Sequence, residues 1–126
     1  MSFVVDRKGC LLSGETVEHV IDRIDCETAG FLEGFSLNCC SPFAFDRTIV
    51  AFENKHLMKR LIGFYPNSYD ANPCVYETEA AIEEPKKFDS IKTIVDRGRQ
   101  YGLKFVGGCC GFGYYDIKLL ASLITK

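Results

Sequence analysis

The chain has 126 residues, of which 47% are hydrophobic and 25% charged, and its formal net charge is -2. This length and composition are those of one ordinary globular domain with a sizeable core. The weakly negative charge predicts no nucleic-acid partner, and no apolar run approaches the ~18 residues needed to cross a bilayer.

The start of the chain and its cysteines predict a cytoplasmic protein. Residues 1–7 lack the basic region and the long apolar core of a secretion signal. Seven cysteines, an odd number that includes two adjacent pairs, fit reduced thiols or a metal site better than a secreted disulfide framework. The isolated cysteines are expected to behave as small buried residues. They are Cys10, Cys26 and Cys74.

The first half of the chain predicts the order strand, helix, strand, helix. A short strand over residues 3–5 is followed by a helix that starts near residues 13–16. Residues 35–37 predict the second strand, and residues 43–54 the second helix, with Pro42 near its first turn. The first helix carries one apolar stripe at i, i+3, i+4 and i+7, formed by Val17, Val20, Ile21 and Ile24.

The second half repeats this alternation around one long connection. Residues 61–65 predict a third strand, and a polar connection from Tyr69 to Lys87 follows it. A connection of this length is uncommon and often functional. Asp89 is expected to cap the next helix, which ends at Gly102. A fourth strand at residues 105–106 precedes a helix striped by Ile117, Leu120, Ala121 and Ile124.

Strands that alternate with helices in this way predict an α/β fold with parallel pairing and right-handed crossovers. The carboxyl ends of parallel strands open on one rim, where α/β proteins place their chemistry. Two cysteine segments follow strands at this rim, and we expect them to be neighbours. They are Asn38-Cys39-Cys40 and Gly107-Gly108-Cys109-Cys110-Gly111.

Cys39, Cys109 and Cys110 are the candidate metal ligands. Three thiolates hold Zn²⁺ strongly, and an open fourth position can accept a substrate sulfur that remains nucleophilic for alkyl transfer. Successive side chains on a strand alternate, but the flanking glycines allow the sharp turn that adjacent ligands need. The alternative is that the paired cysteines are small core or turn residues without a metal, which is the role expected of Cys40.

Several segments together resemble the homocysteine S-methyltransferase family along nearly the whole chain. The resemblance implies the C-terminal half of a (β/α)8 TIM barrel, so that residues 1–126 form a partial homocysteine-binding domain with about four of the eight βα units. The segments that carry it are Leu11-Leu12-Ser13-Gly14-Glu15, Asn38-Cys39, Tyr65-Pro66-Asn67-Ser68 and the run from Gly107 to Gly111.

The resemblance also implies a reaction. Zn²⁺ would be held by Cys39, Cys109 and Cys110, with the homocysteine sulfur as the exchangeable ligand. That sulfur would attack a small methyl donor such as S-methylmethionine, betaine or a folate. Asn38, Asn67 and Ser68 lie at the same rim and are the candidate substrate-binding residues, although capping a turn explains Asn67 and Ser68 equally well.

The chain departs from the family pattern in two respects. The family's N-terminal half, with its Asp-Gly-Gly segment and a later glutamate, has no counterpart here, and Tyr69 and residues 112–117 differ from the usual family residues. Two interpretations therefore stay open. One is zinc-dependent methyl transfer to homocysteine. The other is a non-catalytic half-barrel fragment that binds zinc or self-associates, for example as a homodimer that covers its open strand edges.

Other candidate residues have simpler explanations. Gly111-Phe112-Gly113 lacks the third glycine of a dinucleotide-binding fingerprint. His19 and His56 are expected on the surface. The acidic run of the long connection is expected to be a solvated loop, and its members are Glu77, Glu79, Glu83 and Glu84.

Overall fold

The computed structural model describes residues 1–68 and 84–125, with side chains of the second range described from residue 89 onward. Helices and strands alternate along these two ranges. Their bounds are β1 Ser2–Phe3, α1 Val17–Glu27, β2 Phe35–Asn38, α2 Pro42–Val50, α3 Lys55–Met58, β3 Leu61–Tyr65, α4 Glu84–Tyr101, β4 Phe105–Val106 and α5 Tyr114–Ile124.

The four strands form one sheet in the order β1-β2-β3-β4, and every neighbouring pair is parallel. This confirms the predicted α/β fold. A parallel sheet of this kind is consistent with part of a (β/α)8 barrel, while closure into a barrel remains a prediction. Because all strands run the same way, the segments that follow β2, β3 and β4 meet at one rim of the sheet.

The hydrophobic core lies between the helices and one face of the sheet. Phe3 of β1 stacks on Phe35 of β2 with ring centroids 5.4 Å apart, and Phe45 of α2 packs against Phe64 of β3 at 4.2 Å. Burying aromatic rings of this size dominates core energetics. The apolar stripe of α1 is buried as predicted, at Val17, Val20 and Ile21.

The opposite face of the sheet carries smaller and more polar residues. A Cβ added at Gly63 would lie 2.8 Å from the Cβ of Ser36 and 3.7 Å from the Cβ of Phe105, so these three positions share one face. The Phe105 side chain is 53% exposed there. This face therefore stays outside the core of the described residues.

The predicted second helix is present but shorter than residues 43–54, because α2 ends at Val50 and a separate helix, α3, begins at Lys55. The α2 helix begins at its cap Ser41, whose hydroxyl accepts the Ala44 N–H at 3.2 Å, and ends at Val50. The Glu18 carboxylate of α1 then accepts the N–H groups of Glu53 and Asn54, at 3.0 and 2.7 Å. In a continuous helix these two N–H groups would donate to backbone carbonyls of the preceding turn, but here they donate to Glu18 instead.

The expected capping role of Asp89 is wrong. The α4 helix begins at Glu84, so Asp89 lies inside it. Pro85 suits this start, because proline is tolerated in the first turn of a helix. Glu84 therefore belongs to a helix and not to a loop, whereas Tyr69, Cys74, Glu77, Glu79 and Glu83 lie outside the described residues.

The first strand, the two histidines and the isolated cysteines agree with the sequence predictions only in part. The first strand is Ser2–Phe3, and Val5 instead forms an isolated antiparallel bridge with Leu11. The side chains of His19 and His56 are exposed, as predicted. Cys10 is half-buried but Cys26 is exposed, so the expectation of a buried thiol is wrong for Cys26. Among the described helices, none is long and apolar enough to cross a membrane.

Candidate metal centre

Three thiols meet at the rim of the sheet. Cys39 follows β2, and Cys109 and Cys110 follow β4. The Sγ atom of Cys39 lies 3.3 Å from that of Cys109 and 3.5 Å from that of Cys110, and the Cys109 and Cys110 sulfurs are 3.9 Å apart. This confirms the prediction that the two cysteine segments are neighbours. We call these three side chains the cysteine cluster.

The backbone at Cys39 turns the chain sharply as β2 ends. Cys39 has φ +54°, in the left-handed region that few residues other than glycine adopt. Its N–H donates to the Tyr65 carbonyl at 3.0 Å, which ties this turn to the end of β3. A constrained backbone of this kind is common at functional sites.

The segment 66–68, which follows β3, holds the other two cysteines. The Cys109 N–H donates to the Pro66 carbonyl at 2.7 Å, and the Ser68 N–H donates to the Cys110 carbonyl at 2.9 Å. The Asn67 side-chain oxygen accepts the Cys110 N–H at 3.2 Å. Both cysteines are therefore fixed to the same three-residue segment.

Two glycines next to the cluster are required by close packing. A Cβ at Gly107 would lie 2.7 Å from Cδ1 of the Tyr65 ring, and a Cβ at Gly108 would lie 2.6 Å from Cγ of Phe112. Real Cβ atoms do not approach other atoms this closely. The glycine run thus lets β4 end directly against Tyr65, which brings Cys109 and Cys110 toward Cys39.

The cysteine cluster fits a zinc ion in both chemistry and spacing. Thiolates bound to zinc at about 2.3 Å in a tetrahedron lie about 3.8 Å apart, close to the observed 3.3 to 3.9 Å. Soft sulfur ligands in a tetrahedral arrangement favour zinc among common metals. The described residues contain one group able to hold a metal, and all three of its members are these cysteines.

Burial, together with the hydrogen bonds to the other two thiols, raises the pKa of the Cys39 thiol to about 12. In the absence of a cation, Cys39 is therefore a neutral thiol at neutral pH. A bound dication reverses this preference, because coordinating thiols lose their protons. Metal binding to the cluster should accordingly release protons.

Cys40 has the structural role expected of it. Its side chain is fully buried, and burial raises the pKa of its thiol to about 12. The Cys40 carbonyl accepts the Asn67 N–H at 3.0 Å. Cys40 thus packs in the core and supports segment 66–68 through its backbone.

The profile of the family described as Homocysteine S-methyltransferase matches residues 1–124, almost the whole chain. The chain belongs to the homocysteine S-methyltransferase family.

One curated relative shows how much of a family member this chain represents. The chain is 30% identical over 129 residues to Homocysteine S-methyltransferase 2 of Saccharomyces cerevisiae, and the match covers 97% of this chain. The same match covers 38% of the yeast protein, so the chain spans less than half of that relative's length. No solved structure matches the chain.

In this member of the homocysteine S-methyltransferase family, the candidate substrate-binding residues lie in two different places. Asn67 and Ser68 are buried, at 3% and 4% exposure, next to the cysteine cluster. The Asn38 side chain lies at the end of β2, where its oxygen accepts the Ser2 hydroxyl at 2.5 Å. Sequence reasoning missed the backbone role of Pro66, because a carbonyl that holds Cys109 leaves no signal in residue type.

Proposed function

We propose that residues 1–126 form a partial homocysteine-binding domain that binds Zn²⁺ through Cys39, Cys109 and Cys110 and activates the homocysteine thiol for methylation. The observation that carries this proposal is the convergence of three sulfurs to within 3.9 Å from two separate strands. Membership of the homocysteine S-methyltransferase family supports the substrate and the reaction class.

The chemistry depends on a sulfur nucleophile at neutral pH. Cys39, Cys109 and Cys110 would hold a zinc ion, and that ion would supply Lewis-acid chemistry that keeps the homocysteine sulfur a nucleophilic thiolate. The homocysteine sulfur then forms a bond to the methyl group of a small donor as the donor's own bond to that methyl group breaks. The thiol proton is released to solvent.

The residues around the cysteine cluster hold its members in position. Segment 66–68 holds both Cys109 and Cys110 through three hydrogen bonds. Such outer contacts orient metal ligands and tune their affinity. Asn38 stands at the same rim and is proposed to contact the substrate. The yeast relative is much longer than this chain, so turnover by the described domain is itself part of the proposal.

Methionine formation tests the catalytic proposal directly. The full chain would be incubated with zinc, homocysteine and, in turn, S-methylmethionine, betaine and a methylated folate, with methionine measured by mass spectrometry. We expect formation with one donor and its loss in Cys109→Ser. Cys26→Ser is the matched control, because Cys26 is an exposed thiol outside the cluster, and it should retain activity.

A second candidate function is supported by the exposed apolar surface. Phe105 is 53% exposed on the sheet face opposite the core, and Ile117 and Ile124 of α5 are 42% and 45% exposed. Exposed apolar patches mark interaction sites more often than isolated apolar residues do. The domain would then bind zinc or a second copy of itself without turnover. Zinc binding without methionine formation from any donor would favour this candidate.

A further inference from the structure

A cavity of about 260 Å³ lies between α2 and α4, beside Ser68. Pockets for drug-sized ligands have volumes of roughly 300 to 1,000 Å³, so this cavity suits a smaller molecule. The three cysteines of the cluster do not line it. Its walls include Phe43 and Asp46 of α2, Ser68, and Asp89 and Arg97 of α4.

Ser68 supplies a buried polar group that lacks a partner. Its side chain is 4% exposed, and its Oγ atom has no hydrogen-bond partner among the described residues. Its backbone is fully used, since the N–H donates to Cys110 and the carbonyl accepts the Ser90 hydroxyl at 3.3 Å. Buried hydroxyls nearly always have a partner, which makes this one a candidate ligand contact.

The cavity wall offers a negatively charged group at one place and the positive end of a helix dipole at another. Asp46 and Arg97 form a two-bond ion pair, at 2.5 and 2.6 Å, and neutralise each other. Asp89 is exposed on the α4 wall and forms no ion pair with another described residue, so it attracts a cation. The nine-residue helix α2 begins at Pro42, and the amino end of a helix carries partial positive charge that favours an anion.

We propose that this cavity binds a small zwitterion of the α-amino-acid class. The ammonium group lies at Asp89, and the carboxylate lies toward the amino end of α2, where the Ser68 hydroxyl donates to it. The exposed ring of Phe43 gives the side chain of the ligand an apolar wall. This site is separate from the cysteine cluster, and it does not depend on the proposed methyl transfer.

The test is a titration of the metal-free full chain, followed by nuclear magnetic resonance, with three related probes. L-norleucine carries both charges and no sulfur, pentylamine lacks the carboxylate, and hexanoate lacks the ammonium. We expect saturable binding of norleucine and about tenfold weaker binding of each of the other two, since each loses one charged contact. Pentylamine that binds as tightly as norleucine would overturn the proposal.

Two variants locate the binding site. Asp89→Asn should weaken norleucine binding about fivefold, as expected for an exposed ion pair, and should leave hexanoate binding unchanged. Ser68→Ala should weaken both norleucine and hexanoate. Asp96→Asn is the matched control, because Asp96 is an exposed carboxylate of the same helix that does not line the cavity. The proposal is wrong if norleucine does not saturate at millimolar concentration, or if Asp89→Asn binds it as wild type does.

Discussion

Asn67 is the residue that connects the cysteine cluster to the rest of the rim. Its side-chain oxygen accepts the Cys110 N–H, and its own N–H donates to the Cys40 carbonyl. At 3% exposure it is almost entirely buried, so its contacts cannot be replaced easily by water. The sequence placed Asn67 at the rim, but its partner is a backbone amide of another strand end, and residue type does not reveal such a contact.

Asn67→Ala is therefore expected to weaken zinc binding without removing a ligand. Loss of an outer hydrogen bond of this kind lowers metal affinity by about 10- to 100-fold. Competition with a chromophoric chelator measures the change. Asn38→Ala is the control at the same rim and should keep the wild-type affinity, and equal affinities for all three proteins would contradict the role assigned to Asn67.

The titration of Cys40 is expected to lower the stability of the metal-free protein at alkaline pH. Burial raises its thiol pKa to about 12 from an ordinary value of 9.0. Between these values the unfolded chain has lost a proton that the folded chain keeps, so the free energy of unfolding decreases as pH rises, by up to about 1.4 kcal/mol per pH unit. The contribution is fully present below the ordinary pKa.

The Cys40→Ala variant should show a shallower decrease than wild type when urea unfolding is measured from neutral pH to pH 10. Alanine is small enough for the same core position and does not titrate. Cys26→Ala removes an exposed thiol and should keep the wild-type slope. An unchanged slope in Cys40→Ala would show that Cys40 does not titrate in this way.

At the scale of elements, Arg60 ties α1 to the start of β2. Its guanidinium donates to both oxygens of Asp25, at 2.7 and 2.9 Å, and to the carbonyls of Leu32 and Glu33, at 2.6 and 3.0 Å. Hydrogen bonds to charged groups each contribute roughly 1.5 to 3 kcal/mol. This contact fixes the loop that brings the chain from α1 into the sheet.

Arg60→Gln should lower the free energy of unfolding by about 1 to 3 kcal/mol, measured by urea unfolding. Arg23 provides the comparison, because it also pairs with a carboxylate, Glu15, at 2.7 Å, but on the exposed surface. Solvent screens such a pair, so Arg23→Gln should change stability little. Comparable losses in the two variants would contradict the special role of Arg60.

The elements that the sequence predicted well are those with a strong local pattern. The stripe at Val17, Val20 and Ile21 was sufficient to predict α1, and β3 has the predicted bounds Leu61–Tyr65. The break between α2 and α3 depends on the Glu18 carboxylate, which is 35 positions from Glu53. A local pattern cannot reveal a contact over that separation.

On the scale of the whole molecule, parallel strand order explains why the convergence of the three cysteines was predictable. Cys39 and Cys109 are 70 positions apart, yet their sulfurs are 3.3 Å apart. Parallel strands place their carboxyl ends on one rim whatever the intervening sequence is. Barrel closure, the homodimer, the methyl donor and the cytoplasmic location stay predictions.

The exposed face of the sheet leads to a prediction about association. Phe105 presents apolar surface on this face, and two copies related by a two-fold axis can cover it. Light scattering of the purified chain should then give the mass of two copies. A mass equal to one chain, with cooperative unfolding, would argue against the homodimer.

The zinc content of the purified full chain tests the central claim most directly. Measured by atomic emission under reducing conditions, it should be close to one ion per chain in wild type and in Cys26→Ser, and should drop sharply in Cys109→Ser. A wild-type protein that remains metal-free after incubation with zinc, or a Cys109→Ser variant that binds zinc as wild type does, would contradict the account.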